Sequence, residues 1–332
     1  MELANMPGYT ASSRSALAMK TAGGIAQSPF SLENPDVYTQ WRAWKLDQFA
    51  AYANCSPVAI KNPQSLTLTE RTALLRQLRA TNLSIYESGD AKSFSKQDLR
   101  LFAMQLGLNR LDGHRYAGDD GIACIQVTDE PLRQRYIPYT NKAINWHTDG
   151  YYNPPQRTIR AFIMHCVQPA KSGGENYLLD PEMVYISLRD QSPDLLDALF
   201  DTTAMSIPPN RENGDLVREQ QNGPVFSIDT PSGSLHMRYT ARLNNIAWKD
   251  SAKTQEALVA LKQSIDECQQ YKIQRKLQVG QGILCNNVLH TRAAFEDHSN
   301  PKSKRLLYRA RFYDRIIGTG VAEFDGFMTS MM

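Results

Sequence analysis

Three things are scarce in this 332-residue sequence: cysteine, net charge and long apolar runs. The 5 cysteines (Cys55, Cys124, Cys166, Cys268, Cys285) are odd in number, widely scattered and form no Cys-x-x-Cys pair. That excludes a disulfide framework or zinc knuckle and suits buried thiols in a reducing compartment. With 37 Lys and Arg against 34 Asp and Glu, the formal charge is only +3. Nucleic-acid and membrane-surface proteins cluster basic residues on one face, so neither partner is expected. No stretch approaches the ~20 apolar residues of a membrane span, and Met1–Gly8 lacks the basic start and apolar core of a signal peptide. A cytoplasmic protein is the expectation. With 19 Gly, 17 Pro and 42% hydrophobic residues, the composition is that of an ordinary folded domain, not a collagen-like or disordered chain.

Residues 1–33 are small and polar and read as an N-terminal arm; residues 34–332 read as a single domain. Asn34-Pro35-Asp36 resembles a helix start, followed by Val37, Trp41, Trp44 and Phe49 at helical spacing. Thr67-x-x-Glu70 is a capping box ahead of Leu74, Leu75 and Leu78. A third helix runs from Ser95 through Leu99 and Phe102 to a stop at Gly107. From about residue 121 short β-favouring runs take over, at Ile122–Val127, Arg160–Val167, Asn176–Leu179, Tyr271–Leu277, Gly282–Asn286 and Leu306–Tyr313. Helices are expected from Asp180-Pro181, from Ser192-Pro193 and over Ser251–Gln269. The pattern predicts a mainly β, α+β architecture with helices before and within the β core.

Of the 6 histidines, only His147 has a carboxylate two residues on, at Asp149. Positions i and i+2 of a strand point the same way, so this pair can hold one metal ion between them. A third ligand from elsewhere would complete a two-histidine, one-carboxylate face suited to iron(II). His-x-Asp alone is a pattern that chance also produces. His165 and His236, on apolar strands, read as ordinary core or surface histidines.

The surrounding blocks carry more. Asn145-Trp146-His147-Thr148-Asp149, then Pro154-Pro155, then Ser172-Gly173-Gly174-Glu175-Asn176 resemble the taurine/2-oxoglutarate dioxygenase family, which includes the γ-butyrobetaine hydroxylase branch. Val279 to Arg292 resembles that family's stretch around its distal histidine, and Lys304 to Arg309 its closing strand. The resemblance implies a double-stranded β-helix, or jelly-roll, core with flanking N-terminal helices and an insert. It implies Fe(II) held by His147, Asp149 and His290, with 2-oxoglutarate and O2 as co-substrates and succinate and CO2 as products. Arg305 would receive the far carboxylate of 2-oxoglutarate as a bidentate fork. Arg309, four residues on, would approach an anionic group of the substrate. Where taurine-type enzymes carry a hydroxyl residue to help bind the co-substrate, this sequence has Asn176. Arg292 either reaches the co-substrate or braces its loop. Because Asp149 is retained, hydroxylation is expected and halogenation is not.

The insert Ile207–Trp248 and the loop Tyr151-Tyr152-Asn153 are expected to line the substrate pocket, with Tyr151 touching substrate. Tyr151, Tyr152, Phe226, Tyr239 and Trp248 could cage an alkylated ammonium; Arg238, Arg242 and Arg309 point to a carboxylate or sulfonate. An amino-acid-like zwitterion would use both. Alternation of Arg305, Leu307, Arg309 and Arg311 against Leu306, Tyr308, Ala310 and Phe312 predicts a strand with its arginines on one face. Two other readings compete: a metal-dependent hydrolase using the same His/Asp/His site, and a non-catalytic ligand-binding protein on the jelly-roll fold.

Overall fold

A computed structural model describes residues 28–89, 94–113, 117–212, 214–242 and 246–323. Most of the expected N-terminal arm, and His114, lie outside these residues. Helix α1 (Pro35–Tyr52) begins on the Pro35 read from sequence. Helix α2 (Leu68–Thr81) opens with the Thr67–Glu70 capping box. Helix α3 (Lys96–Met104) opens with a second box, Ser95 with Asp98, that the sequence reading passed over. Two strands were also missed in this helix-rich third: β1 (Val58–Ile60) and β2 (Leu83–Ser88). The first is only three residues long. The second follows directly on Asn82, whose left-handed φ of 56° ends α2 and turns the chain into the sheet.

The remaining core strands are β3 (Ala123–Ile125), β4 (Ile144–His147), β5 (Ala161–Gln168), β6 (Asn176–Leu179), β7 (Lys272–Arg275), β8 (Gln281–Cys285), β9 (Leu289–Arg292) and β10 (Leu306–Phe312). They form two sheets, a major one in the order β1-β2-β8-β5-β10-β3 and a minor one in the order β7-β6-β9-β4. Among the described strands of these two sheets, only the β1–β2 pair is parallel. Between β6 and β7 the chain forms helices α4 (Pro181–Gln191), α5 (Pro193–Phe200) and α6 (Ala252–Glu267), together with short hairpins of the insert.

The central strand β5 shows how the layers are built. Its residues alternate between two cores, as a period-two strand requires. Phe162, Met164 and Cys166 face the minor sheet alongside Leu178, Leu289 and Leu307. Ala161 and Ile163 face outward onto Leu74 and Leu78 of α2 and Phe102 of α3. Strand β10 lies beside it, pairing Leu307 with Cys166, Arg309 with Met164 and Arg311 with Phe162. The arginine-bearing face of β10 therefore does face the interior between the sheets, as its alternation predicted, while Ala310 and Phe312 pack under the helices.

Helix α1 covers the opposite flank. Trp41 is fully buried against Phe30, their ring centroids 4.7 Å apart, so residues 28–33 pack onto the domain. One turn on, the buried Lys45 ammonium lies 2.7 Å from Asp180 and 2.5 Å from Glu182. Asp180 also caps α4 by accepting the Glu182 amide N–H. A lone buried ammonium would be very costly, and the two carboxylates offset that cost while fastening α1 to α4.

His165 sits on the helix-facing side of β5 as the core histidine expected, stacked on Phe94 at 3.8 Å and hydrogen-bonded through Nδ1 to Tyr86. Burial pushes its pKa down to about 4. An unfolded imidazole titrates near about 6.5, so this ring's contribution is intact above that pH and is lost as pH falls toward 4. Between pH 7 and pH 5 it should cost about 2 kcal/mol of stability. Urea unfolding of His165→Gln should lack that portion of the acid loss; equal losses in both proteins would contradict this account.

Candidate metal centre

Strands β4 and β9 lie side by side in the minor sheet, and His147 and His290 are direct partners in the ladder. Their rings are 4.1 Å apart between centroids. Asp149 follows two residues after His147, in the turn beyond the strand end. Ligand atoms of His147, Asp149 and His290 all lie within 4.8 Å of one another. The turn is tight because Gly150 has φ +70°, and a Cβ there would stand 2.4 Å from the Ile159 side chain.

Hydrogen bonding selects the imidazole form. Nδ1 of His147 lies 2.9 Å from the Asn145 carbonyl and Nδ1 of His290 lies 3.0 Å from the Val288 carbonyl. A carbonyl only accepts, so each Nδ1 carries the proton and donates it. Each Nε2 is then left with its lone pair. Burial, with the neighbouring His290, holds His147 neutral down to about pH 3, and burial also lowers His290. Burial acts to raise the Asp149 pKa, but the Arg309 and Arg311 guanidinium groups outweigh it and keep the carboxylate charged. One Asp149 oxygen, Oδ1, faces Arg309 at 3.4 Å; the other, Oδ2, is buried without a hydrogen-bond partner. Two oriented imidazole lone pairs and a charged carboxylate with an unused oxygen fit iron(II).

A cavity of about 380 Å³, including its open mouth, lies against the two histidines and is lined also by Asn176, Arg292, Arg305, Arg309 and Met164. The structure thus brings His147, His290, Asn176, Arg305 and Arg309 to one space. Arg305 is 4% exposed, stands over the Phe295 ring at 5.0 Å and meets no carboxylate at ion-pair distance among the described residues. Burial lowers its pKa. Among the described residues the Asn176 side-chain amide makes a single long contact, 3.5 Å to the Arg275 carbonyl. At Gly173, φ +70°, a Cβ would strike the Ala294 carbonyl at 2.3 Å, so this turn brings β6 and the stretch after β9 close together beside Arg305.

Other candidates are committed elsewhere. Arg292 braces its loop, donating to the carbonyls of Pro138, Thr140 and Lys142. Arg238 spends its guanidinium on the carbonyls of Tyr151, Met205, Gly223 and Gln221. Phe226 and Tyr239 are core residues, 0% and 3% exposed, which removes them from any aromatic cage. Tyr151 packs edge-on to Tyr152 and is not among the cavity-lining residues; nor is any described residue of the insert. The insert instead backs the metal strand, where Thr240 bridges to His147 and the Tyr239 carbonyl accepts the Thr148 amide.

Sequence reasoning missed Asp112. Buried at 2% exposure, it pairs with Arg311 and accepts from Tyr313 at 2.6 Å. Arg311 also donates to Tyr152 at 2.9 Å, so this guanidinium is neutralised within the protein. No local pattern marks Asp112; only the long-range pairing of Leu111 with Phe312 places it there.

A family profile described as taurine catabolism dioxygenase TauD, TfdA family matches residues 53–311. The chain belongs to that family. Membership makes it a dioxygenase, dependent on iron(II), 2-oxoglutarate and O2, and the hydrolase and binding-protein readings fall away. A curated relative, the uridine-5'-phosphate dioxygenase of a Streptomyces species, is 29% identical over 200 residues, 59% of this chain and 70% of the relative. Among solved structures, asparagine oxygenase with Fe(II), hydroxyasparagine and succinate aligns at TM-score 0.54 and 14% identity, covering 92% of each chain. A variant of the non-heme iron oxygenase OrfP with (3S)-hydroxy-L-Arg aligns at TM-score 0.55 and 16% identity, again over 92% of each. These likenesses support the jelly-roll fold expected of a TauD, TfdA family member.

Replacing Gly150 by alanine should test how tightly the turn holds the family's acidic position. With a left-handed φ and a sub-contact Cβ, the substitution should cost about 1–3 kcal/mol. It should also weaken Co(II) binding in titrations of the metal-free protein. Unchanged thermal stability and Co(II) affinity would mean the turn has slack.

Proposed function

We propose that His147, Asp149 and His290 hold the iron, that Arg305 with Asn176 receives 2-oxoglutarate, and that the enzyme hydroxylates a small anionic or zwitterionic substrate. What carries the reading is the charge balance of the cavity. Arg305 and Arg309 both face it; among the described residues Asp149 is the one carboxylate at ion-pair distance from either guanidinium, and Asp297, which accepts the Arg305 backbone N–H, acts on the Arg305 guanidinium only from farther off. A buried guanidinium without an anion is costly, so the cavity is built to take up negative charge.

Iron(II), 2-oxoglutarate and O2 together supply an oxidant able to hydroxylate an unactivated carbon, with release of succinate and CO2. The chain's own residues bind, orient and exclude water. Arg305, fixed above Phe295, presents a planar fork to the far carboxylate of the co-substrate. The Asn176 amide can donate where relatives use a hydroxyl. Arg309, beside Asp149 and reaching the same cavity, is the guanidinium available to a substrate anion. Ile125, Ile144, Met164 and Leu307 form an apolar wall that keeps water from the reacting carbon. The curated relative's name, with its phosphate, agrees with an anionic substrate, and an amino-acid-like zwitterion would satisfy the same charges. Tyr151, which lies beside Thr240 and Arg242, is proposed as a substrate contact. No described helix is long and apolar enough to cross a membrane, and five free cysteines suit the cytoplasm, where we place the enzyme.

Anaerobic addition of iron(II) and then 2-oxoglutarate to metal-free protein should produce the weak visible charge-transfer band of a chelated 2-oxo acid. His147→Ala should abolish it. Arg305→Ala should weaken 2-oxoglutarate binding by about 2–3 kcal/mol, roughly 30- to 150-fold. Metal binding without a band would refute the co-substrate assignment.

A further inference from the structure

Asp149 lies beyond the end of β4, where no neighbouring strand holds it, yet its carboxylate must meet two imidazoles fixed in a ladder. Something else has to fix its backbone. The side-chain amide of Asn287 does so with two hydrogen bonds and uses a third to tie the segment to Ile159. Its Oδ1 accepts the Asp149 amide N–H at 2.8 Å. Its Nδ2 donates to the Asp149 carbonyl at 2.9 Å and to the Ile159 carbonyl at 2.7 Å. A primary amide that takes both the N–H and the C=O of one residue imitates an antiparallel partner strand. Asn287 is 2% exposed and has a left-handed φ of 51°, a conformation asparagine tolerates better than other side chains bearing a Cβ. The next residue, Val288, supplies the carbonyl that orients His290.

We infer that Asn287 is a positioning residue of the metal centre, locking the Asp149 segment in register with the strand that carries His290 before any metal arrives. This rests on the assignment of His147, Asp149 and His290 as the metal ligands. The left-handed φ allows the backbone and the amide to be separated experimentally. Asn287→Gly keeps the backbone conformation without strain and removes the amide. Asn287→Asp keeps the shape and can still accept the Asp149 N–H, but it sets a carboxylate against two carbonyl oxygens.

The test is Co(II) titration of metal-free wild type, Asn287→Gly and Asn287→Asp, read by the visible Co(II) bands, with circular dichroism and melting to confirm folding. Folded Asn287→Gly should bind Co(II) about tenfold or more weakly, on the scale of lost outer hydrogen bonds at metal sites, and Asn287→Asp more weakly still. Altered band positions should accompany the loss, a signature that general destabilisation does not produce. If folded Asn287→Gly binds Co(II) within twofold of wild type, the inference is wrong; if wild type itself binds no Co(II), the ligand assignment fails instead. Hydrogen exchange of the Asp149 amide in metal-free wild type decides the matter even if both variants misfold. Protection before metal is added supports a preset clamp, whereas protection that appears only with Co(II) overturns it.

Discussion

Everything at this site depends on one backbone pairing, that of β4 with β9. Once His147 and His290 are opposite partners in an antiparallel ladder, main-chain hydrogen bonds alone fix their separation. Each ring then needs only a nearby carbonyl to choose its tautomer, and Asn145 and Val288 provide them. The two histidines are 143 positions apart in sequence, and the ladder sets them opposite each other. Phe162, from the facing sheet, closes against the His290 ring at 4.7 Å between centroids and limits its rotation. The third member of the cluster is the exception, since Asp149 lies outside the ladder and is held by the Asn287 side chain.

Charge organises the other half of the cavity. Strand β10 carries Arg309 and Arg311 on its interior face, Arg305 directly precedes it, and burying three guanidinium groups is tolerable only if each is answered. Arg311 is answered by Asp112 and Arg309 by Asp149. Arg305 is left facing the cavity. This graded neutralisation along one strand separates a structural arginine from those free to bind ligands, a distinction that spacing alone does not make.

Much of this was legible because it is local. The β10 alternation, the Thr67–Glu70 capping box and the His147–Asp149 spacing each follow from a period or an offset of a few residues. Family blocks extended that legibility to His290, Arg305 and Asn176, which the structure gathers around one cavity. What was not legible depends on tertiary partners. Strand β1 is too short to show a period, and Asp112 matters only through a strand pairing some two hundred residues away. Arg238 looked like an anion ligand until its four carbonyl partners were seen. The aromatics of the insert fill the core because large apolar rings are more often needed there than in a cage.

The His147–Asp149–His290 cluster and the arginines stand on different sheets, the cluster on and just beyond β4 and β9 and the arginines on and just before β10. Facing sheets pack about 10 Å apart, a distance set by the side chains between them. That spacing acts as a ruler. A molecule that reaches the histidine cluster with one end and Arg305 with the other is selected by its length as well as its charge. Residues such as Phe162, Met164 and Leu307, packed between the sheets, set the graduation of that ruler.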